Sequence, residues 1–141
     1  MCIVLLLPLT TSAQEYGELD TKFRFHLFRS DTDPVGLVIA LVSTSEYPCD
    51  GYTLRTNVTH RRDTVTVSIL GMLRPDPCYA TMGKATGTAF LGNKVGGRYI
   101  LRIYYRGVMD LYRLSLEENE RLLMPIKTSF TTEKPPDTYE E

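Results

Sequence analysis

The side chains with the clearest capacity for binding chemistry are arginines spaced four residues apart in the segment 98–106. Successive side chains of an extended strand point to opposite faces, so one face of this segment would carry Arg98, Ile100, Arg102, Tyr104 and Arg106. Arg113 would join them from the neighbouring strand. Guanidinium groups bind carboxylate, phosphate or sulfate through paired hydrogen bonds. The spacing predicts a surface for a protein or an anionic glycan; the alternative is a solvated face whose arginines pair with cross-strand acids.

Two strands joined by a tight turn would hold this surface. Residues 98–105 and 109–116 alternate between apolar and polar side chains, and Arg106-Gly107 lies between them. Glycine readily adopts the positive φ angle that a two-residue hairpin turn requires. The opposite face of the first strand carries four large side chains that we assign to the core: Tyr99, Leu101, Ile103 and Tyr105.

A second hairpin is predicted from residues 52–58 and 64–70, with a basic tip that contains Arg61 and Arg62. This tip is a candidate contact point, although any solvated turn has a similar composition. Asn57 begins an Asn-Val-Thr triplet, the acceptor pattern for N-glycosylation, which has meaning in a eukaryotic secretory route.

The first residues and the cysteines predict export. Residues 1–13 form a short apolar run followed by small residues, as in a signal peptide cleaved after Ala13, although no lysine or arginine precedes the run. A genuine N-terminal strand is the alternative. Cleavage leaves Cys49 and Cys78, and in an oxidising compartment we expect them to form a disulfide. The expected localisation is secreted, periplasmic or extracellular.

The segment 71–87 is predicted to be irregular, because it contains three glycines, two prolines and Cys78. Irregular segments run over the surface and often carry binding residues. We therefore treat this segment as a second candidate binding element. The stretch from Pro75 to Met82 gives an alternative function, inhibition of an extracellular enzyme by insertion of a disulfide-tied loop.

The remaining patterns complete an all-β assignment. Further strands are predicted at residues 22–28, 35–42, 86–91 and 121–126. Leu116 to Met124 fits either a helical turn or a loop before the last strand. Residues 129–141 are polar and are predicted to be a disordered tail. About seven or eight short strands predict one antiparallel β-sandwich domain over residues 14–128.

Composition excludes several function classes. The chain has 141 residues with 16 basic and 17 acidic side chains, and its formal net charge of −1 argues against a nucleic-acid partner. A transmembrane helix needs about 20 apolar residues, and no apolar run in the sequence is that long. His26 and His60 lack metal-ligand spacing, and no catalytic or cofactor motif is visible. We therefore expect no metal, no cofactor and no enzymatic activity; a small secreted hydrolase is the remaining alternative.

The segment from Asn93 to Ile103 carries a family resemblance. Its glycine pair, Gly96-Gly97, is followed by Tyr99 and alternating apolar residues, and this pattern resembles the turn and strand of immunoglobulin-like β-sandwich modules of secreted proteins. The resemblance implies a sandwich in which Tyr99 closes a corner by hydrogen bonding back to the backbone. The chain departs from the antibody pattern in having no tryptophan, and Cys78 lies well before Tyr99. Together these observations predict a secreted or cell-surface binding module whose partner is unknown.

Overall fold

The computed structural model describes residues 22–117 and 120–134, and its regular elements there are nine β-strands. In chain order they are β1 (Phe23–Ser30), β2 (Gly36–Tyr47), β3 (Thr53–Arg61), β4 (Thr64–Leu73), β5 (Gly83–Gly92), β6 (Gly97–Tyr105), β7 (Val108–Glu117), β8 (Glu120–Lys127) and β9 (Thr131–Glu133). The predicted all-β class is confirmed. Within this part of the chain, no helix has the length and apolar character needed to cross a lipid bilayer. The predicted signal peptide lies outside the described residues.

The strands form one mixed sheet in the order β8-β7-β6-β4-β3-β5-β2-β1-β9. Three neighbouring pairs are parallel, namely β4 with β6, β3 with β5, and β1 with β9. The sequence pattern predicts an antiparallel β-sandwich, whereas the described strands form one curled sheet of mixed direction. One cause is the connection between β5 and β6. After β5 the chain crosses the sheet to the free edge of β4, and β6 pairs there parallel to β4. The contact between β3 and β5 is narrow, since its register contains the single pair Thr53 and Thr86.

The sheet curls so that β1 faces β6 and β7 across one core. The Phe23 ring meets the Tyr105 ring edge-on with centroids 5.3 Å apart, and Phe25 meets Tyr112 in the same way at 5.1 Å. Such edge-to-face pairs are favourable beyond the area they bury. Most apolar side chains of the alternating patterns lie in this core as predicted, and its fully buried members include Ile39, Val67, Leu91, Leu101 and Ile103. Tyr99 is the exception in β6, because it is only half-buried.

Local turn chemistry fixes the two hairpins. Arg106 and Gly107 have φ angles of 46° and 80°, which match the two-residue turn predicted between β6 and β7. Arg62 has a φ of 54° at the tip between β3 and β4. The ambiguous segment from Leu116 to Met124 is a third hairpin, in which Glu117 of β7 pairs with Glu120 of β8.

Irregular structure between β4 and β5 is shorter than predicted. The segment 71–87 was expected to be irregular throughout, but β4 continues to Leu73 and β5 begins at Gly83. Strand pairing explains both extensions, because Leu73 pairs with Thr53 and Gly83 pairs with Tyr47. Residues 74–82 are the irregular connection.

The C-terminal region differs from the predicted tail, because Thr131–Glu133 form β9 beside β1. The Asp110 carboxylate of β7 is fully buried and accepts hydrogen bonds from Ser129, Phe130 and Thr131. Composition alone could not reveal this, since the segment is ordered by hydrogen bonds to a distant carboxylate and by packing of the Phe130 ring against Phe23 and Tyr105. Residues 135–141 of the predicted tail lie outside the described residues.

Gly87 allows β3 and β5 to approach each other. A Cβ atom at this position would lie 2.8 Å from the Leu54 Cβ and 3.0 Å from the Leu54 carbonyl oxygen. We therefore expect Gly87→Ala to lower the free energy of unfolding by about 1–3 kcal/mol, because one of the two strands must shift. Chemical denaturation measures this. Gly96→Ala is the matched control, since its Cβ would meet no atom closer than 3.8 Å; an equal loss in both variants would contradict the prediction.

Candidate functional site

The outer surface of β3, β4, β6, β7 and β8 carries the predicted arginines. Strand register arranges the outward side chains in rows across the sheet. One row passes through Ile100 and consists of Arg61, Thr64, Ile100, Arg113 and Met124. The next row passes through Arg102 and consists of Thr59, Thr66, Arg102, Leu111 and Lys127. The predicted proximity of Arg113 to the β6 arginines is therefore present, because it pairs directly with Ile100.

Two adjoining depressions lie on this surface, which we call the arginine face. The first has a volume of about 450 Å³ and is lined by Asp63, Arg98, Tyr99, Ile100, Arg113, Ser115 and Met124. The second has a volume of about 620 Å³ and is lined by Thr59, Arg61, Arg62, Asp63, Thr64, Thr66, Ile100 and Arg102. Asp63 and Ile100 belong to both depressions and form the boundary between them.

A backbone hydrogen bond joins the basic hairpin tip to β6. The Ile100 amide donates to the Asp63 carbonyl oxygen at 2.8 Å. This bond holds the turn between β3 and β4 against the start of β6, so Arg61 and Arg62 lie beside the β6 arginines. Sequence reasoning treated the tip and the arginine strand as separate sites, because the parallel pairing of β4 with β6 has no local signal in the sequence.

The arginine face is exposed and electropositive. Arg61, Arg62, Arg98, Arg102 and Arg113 are all solvent-exposed. Within residues 22–117 and 120–134, none of these guanidinium groups forms an ion pair. Asp63 is the acidic residue that lines both depressions, and Glu117 and Glu120 lie beside Arg98 in a smaller hollow of about 230 Å³. The donors of the five guanidinium groups thus face solvent.

Two of the predicted site residues lie apart from the depressions. Arg106 is at the opposite end of β6, where its guanidinium lies over the Tyr105 ring at 5.6 Å from the centroid. Tyr104 is 38% exposed but lines neither depression. Lys127, which sequence reasoning did not include, joins the row of Arg102 through β7 and β8. Asn57 is exposed on β3 opposite Ser68.

The second candidate element is the irregular connection at residues 74–82. The predicted disulfide between Cys49 and Cys78 is present and ties this connection to the end of β2. Cys49 is buried, whereas Tyr79 and Met82 are 67% and 59% exposed. The connection therefore presents large apolar side chains on a covalently anchored segment.

Shifted pKa values occur around β9, at Asp110 and Tyr112 of β7 and at Glu133 of β9 itself. Burial alone would raise the pKa of Asp110, but hydrogen bonds from the Thr131 and Ser129 hydroxyls and from backbone amides outweigh it and lower the pKa below its ordinary value of 3.8. Burial raises the pKa of Tyr112, whose hydroxyl contacts Thr131. Burial also raises the pKa of Glu133, although Arg121 partly offsets this effect. Asp110 and Tyr112 both bond to Thr131 and hold β9 in place.

Two further findings bear on the class of protein. In the described part of the chain, no group of three histidine, cysteine, aspartate or glutamate side chains is placed to hold a metal ion. The Tyr99 hydroxyl donates to the Gly96 carbonyl oxygen at 2.7 Å, which is the backbone contact that the family resemblance implied for this residue.

The fold and the candidate site thus define an all-β, disulfide-bonded domain with a basic outer face. Comparison with protein-family models, curated proteins and solved structures found no match to this chain.

Proposed function

We propose that the protein is an exported binding module that recognises an anionic ligand through the arginine face. The observation that carries the proposal is the convergence of Arg61, Arg62, Arg98, Arg102 and Arg113 on two adjoining depressions. Paired guanidinium donors match the geometry of sulfate, phosphate and carboxylate groups. A free guanidinium also binds without first breaking an internal ion pair, so its interaction with the ligand is not offset by such a loss.

The site favours an anionic ligand over an ordinary solvated face because of the local charge balance. Five arginines line the two depressions, against one lining carboxylate, that of Asp63. The whole chain has a formal net charge of −1. Cationic side chains are therefore concentrated on this face, and this concentration attracts anions locally although the whole protein has no net positive charge.

Retention on immobilised heparin tests the proposal. We expect the double variant Arg102→Ala/Arg113→Ala to bind about tenfold more weakly and to elute at lower salt, because each depression loses a guanidinium. The matched control is Arg24→Ala/Lys84→Ala, which removes two exposed cations from β1 and β5. An equal loss of retention in both variants would indicate nonspecific charge attraction and would overturn the proposal.

Export and a sandwich-like architecture are part of the same proposal. The disulfide between Cys49 and Cys78 supports an oxidising compartment. The narrow contact of β3 with β5 supports a division of the strands into two packed layers, one containing β1, β2, β5 and β9 and the other containing the remaining five. The hydrogen bond from Tyr99 to Gly96 supports a likeness to immunoglobulin-like modules.

Inhibition of an extracellular enzyme is the second candidate function. The supporting observation is the exposure of Tyr79 and Met82 on the connection tied by Cys78. A covalently restrained segment loses less conformational entropy when it enters a cleft. This function uses residues 74–82 and would leave the arginine face without a role in binding.

A further inference from the structure

We infer that the ligand of the arginine face is an anionic oligosaccharide, sulfated or rich in uronic acid, that spans both depressions as one chain. This inference rests on the proposed function and names the chemical class of the ligand. A single small anion would occupy one depression and leave the other unused. The shared boundary at Asp63 and Ile100 makes the two depressions contiguous, as a ligand that spans them requires.

The strand register sets the distances between the arginines that a ligand would contact. Arg113 and Arg61 lie in the same row and are separated by three strand spacings, about 14 Å. Arg98 and Arg102 are four residues apart along β6, about 13 Å. Anionic groups would therefore be bound at separated positions. A carbohydrate with charged groups at intervals along the chain has this distribution.

Asp63 distinguishes a glycan from a densely charged polyanion. Asp63 lines both depressions and carries an acidic side chain at their boundary, and the hydrogen bond from the Ile100 amide fixes its backbone. A carboxylate accepts hydrogen bonds from sugar hydroxyls but repels phosphate groups that follow one another closely. A polyphosphate or a nucleic-acid strand would place negative charge at this boundary. A sugar ring would place a hydroxyl there.

The uncharged lining also suits carbohydrate. Thr59, Thr64 and Thr66 line the second depression, and Ser115 lines the first. Hydroxyl side chains donate and accept hydrogen bonds, as sugar hydroxyls do. Ile100 and Met124 supply apolar surface in the first depression, against which the C–H groups of a sugar ring can pack.

A length series tests the spanning ligand. Binding of sulfated oligosaccharides, from a disaccharide to an octasaccharide, is measured by calorimetry with the full chain. We expect affinity to rise by at least about tenfold once the chain reaches both depressions and then to level off, because the second contact becomes intramolecular. If short and long chains bind equally, the spanning ligand is wrong while the proposed function stands. If no length binds but polyphosphate does, the glycan assignment is wrong while the proposed function stands; if neither binds, the proposed function also fails.

Substitutions in each depression provide the second readout. Arg113→Ala in the first depression and Arg62→Ala in the second should each reduce octasaccharide affinity. A disaccharide occupies one depression, so only the variant in that depression should reduce its affinity. Asp63→Ala should weaken octasaccharide binding and strengthen polyphosphate binding. Tighter binding of polyphosphate than of octasaccharide to the unaltered protein would overturn the glycan assignment. Unchanged thermal unfolding of each variant excludes loss of fold, and Arg24→Ala is the control for bulk charge.

Discussion

Asp110→Asn is expected to lower the free energy of unfolding by about 3 kcal/mol, measured by urea denaturation. The Asp110 carboxylate is fully buried and receives five hydrogen bonds. Ser129 donates from its amide and hydroxyl at 2.9 and 2.8 Å, Phe130 from its amide at 3.1 Å, and Thr131 from its amide and hydroxyl at 2.8 and 2.6 Å. An asparagine has an NH₂ group in place of one carboxylate oxygen. This group would face N–H and O–H donors of residues 129–131, which would then lack an acceptor in the protein interior.

The same substitution should remove part of the decrease in the free energy of unfolding that acid causes. The folded-state pKa of Asp110 lies below its ordinary value of 3.8, so the folded protein binds this proton less readily than the unfolded chain. Its contribution to stability is therefore complete above the unfolded pKa and is lost as pH falls through the folded pKa. We expect the stability difference between the unaltered protein and Asp110→Asn to shrink below about pH 4.

The control for Asp110 is Asp31→Asn, which removes a carboxylate at an exposed turn. It should change the free energy of unfolding by less than about 0.5 kcal/mol. A similarly small effect of Asp110→Asn, or a stability difference that does not depend on pH, would show that the carboxylate does not anchor β9.

Loss of the disulfide is the second large effect. Cys49→Ala/Cys78→Ala should lower the free energy of unfolding by about 3.5 kcal/mol, because the bond closes a loop with a sequence separation of 29. Alanine avoids placing a hydroxyl at position 49, where the side chain is buried. Thermal unfolding with and without reductant measures the effect.

Reductant supplies the control for this experiment. The unaltered protein should lose a similar amount of stability when reduced, whereas the double variant should not respond. Equal stability of the oxidised protein and the double variant would contradict the prediction. The result also bears on the connection at residues 74–82, whose attachment to β2 depends on this bond.

Much of the local structure follows from the amino-acid sequence. The alternation in β1, β4 and β6 places Phe25, Val67 and Ile103 in the core, because side chains of an extended strand alternate between faces. Gly107 marks the turn between β6 and β7, and Cys49 pairs with Cys78. Each of these features depends on neighbouring residues or on the small number of cysteines.

The candidate site is predicted only in part. The spacing of Arg98 and Arg102 predicts that both lie on one face, and the hairpin brings Arg113 beside them. Arg106 lines neither depression, because it lies four residues beyond Arg102 and just past the end of β6; its part in binding stays a prediction. Position along a strand, and not side-chain type alone, decides which arginines can share a ligand.

The sequence by itself determined the existence of β1 to β8, most of their buried faces, the turns at Arg62 and Gly107 and the cysteine pair, because these depend on short-range periodicity and local backbone preference. Only the tertiary structure decided that β6 lies parallel to β4, which brings Arg61 and Arg62 to the β6 arginines. It also decided that Asp110 orders β9. Both outcomes depend on pairings between residues far apart in the chain, whose energies arise only after the sheet has formed.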